Sequence, residues 1–159
     1  MIKNYLWIFF ISMVPLIELR GAIPVSQALQ MPIIPSYIVS IIGNMIPVPI
    51  IYFFAIKVLV WGSDKRFIGK LFTAILEKGT KAGQKIQEKA GKGFFIALLL
   101  FVGIPLPGTG AWTGTLAASL LGLSFKETVI SVILGVLLAG LIMMAGSFGL
   151  FSALFAISG

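Results

Sequence analysis

The stretch Pro15-Leu16-Ile17-Glu18-Leu19-Arg20-Gly21-Ala22-Ile23-Pro24 sets two opposite charges among prolines and apolar residues. Those charges are isolated. The other charged residues are Lys3, the group from Lys57 to Lys92, and the pair Lys126-Glu127. Residues 21–56, 93–125 and 128–159 carry no charged side chain, and each run exceeds the ~20 residues that a spanning helix needs. With 58% hydrophobic and 11% charged residues and a mean hydropathy of +1.08, the 159-residue chain is too apolar for an ordinary soluble domain. It is expected to be an all-α integral membrane protein.

Composition excludes several classes of function. The pI near 9.9 reflects one block, Lys65, Arg66, Lys70, Lys78, Lys81, Lys85, Lys89 and Lys92, lying between apolar stretches. A basic loop so placed fixes membrane topology, so it is expected to be cytoplasmic and no nucleic-acid partner is expected. The chain has no Cys and no His, which removes disulfides, thiolate chemistry, Ser-His-Asp hydrolysis and the common zinc sites. No enzyme activity, metal or cofactor is expected. Lys3 and the apolar run after it resemble a signal peptide ending near Ser26-Gln27-Ala28, but Glu18 and Arg20 interrupt that run, so the segment is expected to be retained.

Working outward from the quoted stretch, the fourteen uncharged residues Asn4 to Ile17 rise only ~21 Å as a helix, short of a ~30 Å hydrocarbon core. Pro15, Gly21 and Pro24 are expected to break the helix there. The chain returns through Met31, turns at Pro32 and Pro35, and enters a long run from Ser36 to Trp61, kinked at Pro47 and Pro49. The second half repeats this plan. Phe94 to Ile104 is a half-length apolar segment broken at Pro105-Leu106-Pro107-Gly108-Thr109-Gly110, and a long run follows Lys126-Glu127. Pro15-Leu16 corresponds to Pro105-Leu106, and Ser40-Ile41-Ile42-Gly43 to the segment from Ser131 to Gly135.

A single membrane domain is therefore expected, with repeat 1 over 1–61, a basic amphipathic linker over 62–92 and repeat 2 over 93–159. Each repeat reads as a re-entrant helical hairpin followed by a transmembrane helix. A cytoplasmic linker requires the repeats to be inverted, which brings both broken tips to the bilayer midplane, the layout that places substrate sites between discontinuous helices. Within the linker, Phe67, Ile68, Leu71, Phe72, Ile75 and Leu76 recur at helical spacing opposite Lys and Arg. They predict either a helix on the membrane surface or a helical hairpin packed on the protein.

Glu18 is the one candidate proton carrier at membrane depth, and Arg20 suits a carboxylate or phosphate held by paired hydrogen bonds. Withdrawal from water favours the neutral carboxyl and a neighbouring guanidinium the carboxylate, so proton exchange needs the two to balance. The other reading is that both charges pair or cap broken backbone. In the second break, Gly108 and Gly110 free the chain to bend and expose amides suited to an anion, Thr109 and Thr113 add hydroxyls, and Trp112 offers a ring to wall off a ligand. The same letters also suit a plain turn closing a hairpin. Gly110, Gly114, Ala118 and Gly122 form a small face, as do Ser131, Gly135 and Ala139. Both suit helix packing or a homo-oligomer. The stripe Ser36, Ser40 and Asn44 suits either packing or a pathway.

The two blocks, 15–24 and Pro105 to Gly114, resemble the putative small multidrug export protein family of prokaryotes across nearly the whole chain. More distantly, paired re-entrant hairpins with a charged first tip and a Pro-Gly second tip look like the DedA membrane proteins of the lipid flippase and scramblase superfamily. By position, Glu18 matches the acidic residue of their first hairpin and Pro107-Gly108 the Pro-Gly of their second. Their second-hairpin Arg has no counterpart, since no Arg follows Arg66. These resemblances imply a multi-pass protein of the prokaryotic cytoplasmic membrane, in contact with membrane lipids. They imply translocation of an amphiphile, either lipid-type, with or without a phosphate, or a lipophilic cation exchanged for protons at Glu18. A non-transporting scaffold or oligomeric pore is the third reading.

Overall fold

The computed structural model describes residues 2–65, 69–90, 93–106 and 108–158, with the side chains at 79–80, 82–90, 148 and 150–158 outside the description. Arg66, Phe67, Ile68, Lys92 and Pro107 thus lie outside the described residues. The described chain is all-helical: α1 (Ile2–Met13), α2 (Glu18–Ala28), α3 (Ile33–Met45), α4 (Pro47–Ser63), α5 (Gly69–Ala90), α6 (Gly93–Gly103), α7 (Ala111–Leu120) and α8 (Phe125–Ser158). Two helices are long and apolar enough to cross a bilayer, Ile33–Ser63 and Phe125–Ser147. A third or less of each span is buried inside the protein, so most of its apolar surface faces outward.

Each half runs half-length helix, break, half-length helix, long helix, and the backbone repeats in detail. In the first half Leu16 (φ 71°), Glu18 (φ 51°) and Gln30 (φ 53°) lie in the left-handed region, and in the second Gly108 (φ 82°), Gly110 (φ 149°) and Gly122 (φ 74°) do. The second set follows the first at a constant spacing of 92 residues (16 to 108, 18 to 110, 30 to 122). Gln30 and Gly122 each end a helix in a Schellman turn, with Met31 N-H bonded to Ser26 O and Leu123 N-H to Ala118 O. The long helices α3 and α8 start at the same spacing. Ser36 Oγ donates to Pro32 O at 2.8 Å and Thr128 Oγ1 to Ser124 O at 2.9 Å. The buried positions 36, 40, 43, 44, 47 and 48 of α3–α4 recur as 128, 132, 135, 136, 139 and 140 of α8.

Ahead of the breaks the spacing is 90 residues, so the second break is longer by two. A Cβ on Gly43 would meet Ser12 and the Phe9 carbonyl of α1, while one on Gly135 would lie 2.8 Å from the Leu99 carbonyl and 2.7 Å from Val102 Cβ of α6. Each long helix therefore lies against the first helix of its own half through a glycine. Gly114 likewise faces Val102 and Leu98, so at Gly114 and Gly135 the small faces named above meet α6 of the same chain, while Gly122 is exposed.

Gly21 and Pro24, expected to share in the first break, lie inside α2. The Gly21 N-H makes a helical bond to Ile17 O at 2.9 Å, and the turn is confined to residues 14–17 because Leu16 and Glu18 carry the left-handed conformation. Pro24 costs α2 only the hydrogen bond that would reach Arg20 O. At Pro47 and Pro49, where a kink is expected, Ile46 keeps helical dihedrals (φ −60°, ψ −43°) and its N-H bonds to Ile42 O, so α3 and α4 run on as one span from Ile33 to Ser63. Two contacts set α3–α4 against α8. Tyr37 Oη donates to Leu137 O at 2.9 Å, and farther along Tyr52 Oη donates to Leu123 O with its ring 5.2 Å from Phe125. The equivalent helices α3 and α8 are therefore antiparallel. One contiguous core, including Leu19, Ile23, Val48, Ala111, Ala118, Val132 and Val136, joins the halves. Of the basic linker, α5 turns back along α4, where the Phe72 ring covers Gly62.

Candidate functional site at the meeting of the two breaks

Glu18 opens α2 and is buried, with 4% of its surface exposed. Its carboxylate crosses to the other half. Oε2 accepts the Ala111 N-H at 3.2 Å and Oε1 the Trp112 N-H at 3.0 Å, so Glu18 caps α7 where the free amides and the helix dipole favour negative charge. Gly110 makes this approach possible. A Cβ there would collide with the carboxylate, and its φ of 149° is one that a side chain disfavours. The amides predicted to receive an anion thus hold the chain's own carboxylate.

Arg20 points the other way. Its guanidinium donates to Leu106 O, to Val102 O at 3.2 Å and to Ile104 O at 3.3 Å, closing off the carbonyls that end α6. Trp112, the position equivalent to Arg20, donates its indole N-H to Met13 O at the end of α1 at 3.1 Å. Thr109 Oγ1 lies 2.9 Å from both Ile104 O and Leu106 O, bracing the second break from inside. Thr113 Oγ1 lies 3.4 Å from Gly110 O.

Beside this clasp lies a cavity of about 740 Å³. One wall is the first break at Met13, Pro15 and Leu16; a second is α4 from Pro47 to Leu59; the others are Phe72 and Ile75 of α5 and the face of α7 carrying Trp112, Thr113 and Leu116. Gly108 and Thr109 also line it, and Glu18 is the one ionisable residue among the described residues of its lining. Arg20 is not in the lining. Such a chamber, apolar with a few polar groups at one end, suits a lipophilic ligand.

The structure brings together Glu18, Gly108, Thr109, Gly110, Trp112, Thr113 and Pro15, and keeps Ser36, Ser40 and Asn44 apart from the cavity. Those three are buried in α3, where Ser40 Oγ donates to Ser36 O at 2.7 Å. Pro105 separates the carbonyls of Ile104 and Leu106 that Arg20 and Thr109 occupy. Sequence reasoning missed the α4 wall and the Phe72 and Ile75 wall. Ile50, Ile51, Phe54 and Val58 are indistinguishable in sequence from lipid-facing residues, and only the amphipathic spacing of α5 hinted that Phe72 and Ile75 face the protein.

Residues 18–142 match one protein family, described as Putative small multi-drug export protein. The chain belongs to this family. The match begins at Glu18 and takes in both α2 and the whole second break, so the clasp just described lies within it. Membership together with the two apolar spans makes this a transporter-like membrane protein of the small multi-drug export type. No curated protein and no solved structure matches the chain.

Proposed function

We propose that this member of the small multi-drug export family carries lipophilic, preferentially cationic amphiphiles across the prokaryotic cytoplasmic membrane, taking them up in the cavity between the two breaks. The observation that carries this reading is the cavity itself, mostly apolar and bearing Glu18 as the one ionisable residue among its described lining residues. A cation beside Glu18 replaces the water lost on burial with a carboxylate, and its apolar body is matched by α4 and α7. Arg20 would repel such a ligand if it faced the cavity, but its charge is spent on the carbonyls ending α6. Glu18 then holds a proton or the substrate cation in turn. A phosphate-bearing lipid, as the DedA-like hairpin pattern suggests, fits less well, because Arg20 lies outside the cavity lining and the Glu18 carboxylate, which is in it, repels an anion.

The two halves act as inverted repeats, with the antiparallel pair α3 and α8 as spans and the linker 62–92 on the cytoplasmic side. Alternating access follows from rocking one half on the other about the clasp. The experiment is efflux of a fluorescent quaternary ammonium dye from proteoliposomes under a pH gradient. Wild type is expected to accelerate efflux, and Ala55→Trp, which fills the cavity from α4, to abolish it, while Lys70→Ala on α5 leaves it unchanged. Equal efflux from wild-type and protein-free liposomes would reject the proposal.

A further inference from the structure

The cavity beside the Glu18 clasp is open on one side. Leu16 at the first break and Ile50, Phe54 and Val58 of α4 all line it, yet each leaves half or more of its surface exposed. Residues that both line a chamber and lie open to the outside mark its mouth. The two sides of that mouth are held by different neighbours, since α1 packs against α2 and α3 while α4 packs against α5 and α7.

What lies outside the mouth follows from the surface that it interrupts. Every fourth residue from Ile34 through Ile46 to Val58 is apolar and exposed. Residues four apart are neighbours on a helix, so these form one unbroken ridge along the candidate span Ile33–Ser63. In a membrane protein such a ridge meets hydrocarbon. Its last three members, Ile50, Phe54 and Val58, are the α4 rim of the mouth, so the lipid-facing surface continues into the cavity with no polar residue between. A mouth facing water would instead leave the whole rim hydrated. Lys57, outside the lining, holds its ammonium 5.5 Å from the centre of the Phe54 ring. A lysine so placed snorkels to the lipid headgroups, which sets the linker end of the mouth near them.

The dimensions select the occupant. Along the lining, α4 rises about 18 Å from Pro47 to Leu59 and α7 about 12 Å from Trp112 to Leu120, against ~15 Å for half of a ~30 Å hydrocarbon core. A chamber of about 740 Å³, mostly apolar and one leaflet deep, matches a single lipid chain.

We propose that the cavity opens sideways into the bilayer between Leu16 and the α4 residues Ile50, Phe54 and Val58, and that one acyl chain of a surrounding membrane lipid fills it at rest. This seat needs no export activity. That a substrate amphiphile enters by the same side, displacing the chain, rests on the function proposed above.

Trp112 can report on the seat, because it lines the cavity and its indole N-H is held by Met13 O at 3.1 Å, while Trp7 and Trp61 are exposed residues outside the lining. The full-length protein carrying Trp7→Phe and Trp61→Phe keeps Trp112 as its sole tryptophan. It is reconstituted in dioleoylphosphatidylcholine, or in the same lipid brominated at mid-chain, and its fluorescence is compared, with iodide as the water-borne quencher. The brominated chains are expected to quench Trp112 and iodide to leave it unchanged, and Ala55→Phe, which fills the cavity from α4, to remove most of the quenching by the chains. Quenching by iodide would place the mouth in water. Quenching by neither agent would mean that the mouth is covered, as by a second copy of the chain, and quenching by the chains that Ala55→Phe leaves intact would mean that they stay outside. Each of these three results overturns the proposal. Should Ala55→Phe fail to fold, the comparison of the two quenchers in its parent decides alone. No cation and no transport enter the measurement, so its outcome is separate from that of the export reading.

Discussion

Arg20 and Trp112 hold equivalent positions in the two halves, and each donates hydrogen bonds to the carbonyls that end the other half's first helix, Arg20 to Val102 and Ile104 and Trp112 to Met13. Between them the equivalent residues Glu18 and Gly110 lie in contact. In the proposed mechanism this clasp is the place about which one half rocks on the other.

The guanidinium of Arg20 serves three carbonyls from two separate nitrogens, Nη1 and Nη2, whereas the three donors of an ammonium all leave one atom on a differently shaped stem. Arg20→Lys keeps the charge and is still expected to lose about 1–3 kcal/mol of stability, read by denaturant unfolding in micelles. Stability equal to wild type would show that charge alone matters at this position.

Removing the cap from α7 can be done from either side. Glu18→Ala takes away the carboxylate, and Gly110→Ala pushes it off with a methyl group. Each is expected to cost about 1–3 kcal/mol, and the double variant little more than the worse single one, because both break the same pair of hydrogen bonds. Additive losses in unfolding experiments would separate the two residues.

Leu16 holds a φ of 71° with 82% of its surface exposed, where the second half has Gly108. The left-handed conformation costs an L-residue roughly 1–2 kcal/mol. Leu16→Gly is therefore expected to be neutral or to stabilise by up to about 1 kcal/mol after the entropy of glycine is counted. A clear loss would mean that Leu16 is held by contacts of its side chain in the cavity wall.

Gly135 lies against Leu99 and Val102 of the same chain. Gly135→Leu is expected to lower the yield of folded protein without changing its oligomeric state, measured by size-exclusion chromatography with light scattering. Well-folded Gly135→Leu of altered mass would instead assign that face to an interface between chains.

Much of this architecture is legible in the letters. Charge-free runs long enough for a bilayer and the half-length segments broken near Pro15 and Pro105 follow from helix rise and the missing proline N-H. The partners of Glu18 and Arg20 do not. Local spacing says that a carboxylate and a guanidinium two residues apart sit in an apolar place, but their divergence depends on the left-handed turn at Leu16 and Glu18, a conformation that neither residue type announces. For the same reason Gly21 and Pro24 read as breakers and lie inside α2. The second break advertises its turns with Gly108 and Gly110, whereas the first performs them with Leu and Glu, so the finer correspondence of the halves is visible only in the backbone.

In the proposed function the apolar cavity holds a lipophilic cation against Glu18. The most direct test of this is isothermal titration of purified protein with a quaternary ammonium compound in weakly buffered solution, recording binding and proton release together. Binding by wild type with release of up to one proton, and loss of the proton signal with weakened binding in Glu18→Gln, is the result expected. Glu18→Gln keeps an oxygen able to accept an α7 amide, so the fold should persist. Binding of equal strength and equal proton release in wild type and Glu18→Gln would contradict the account.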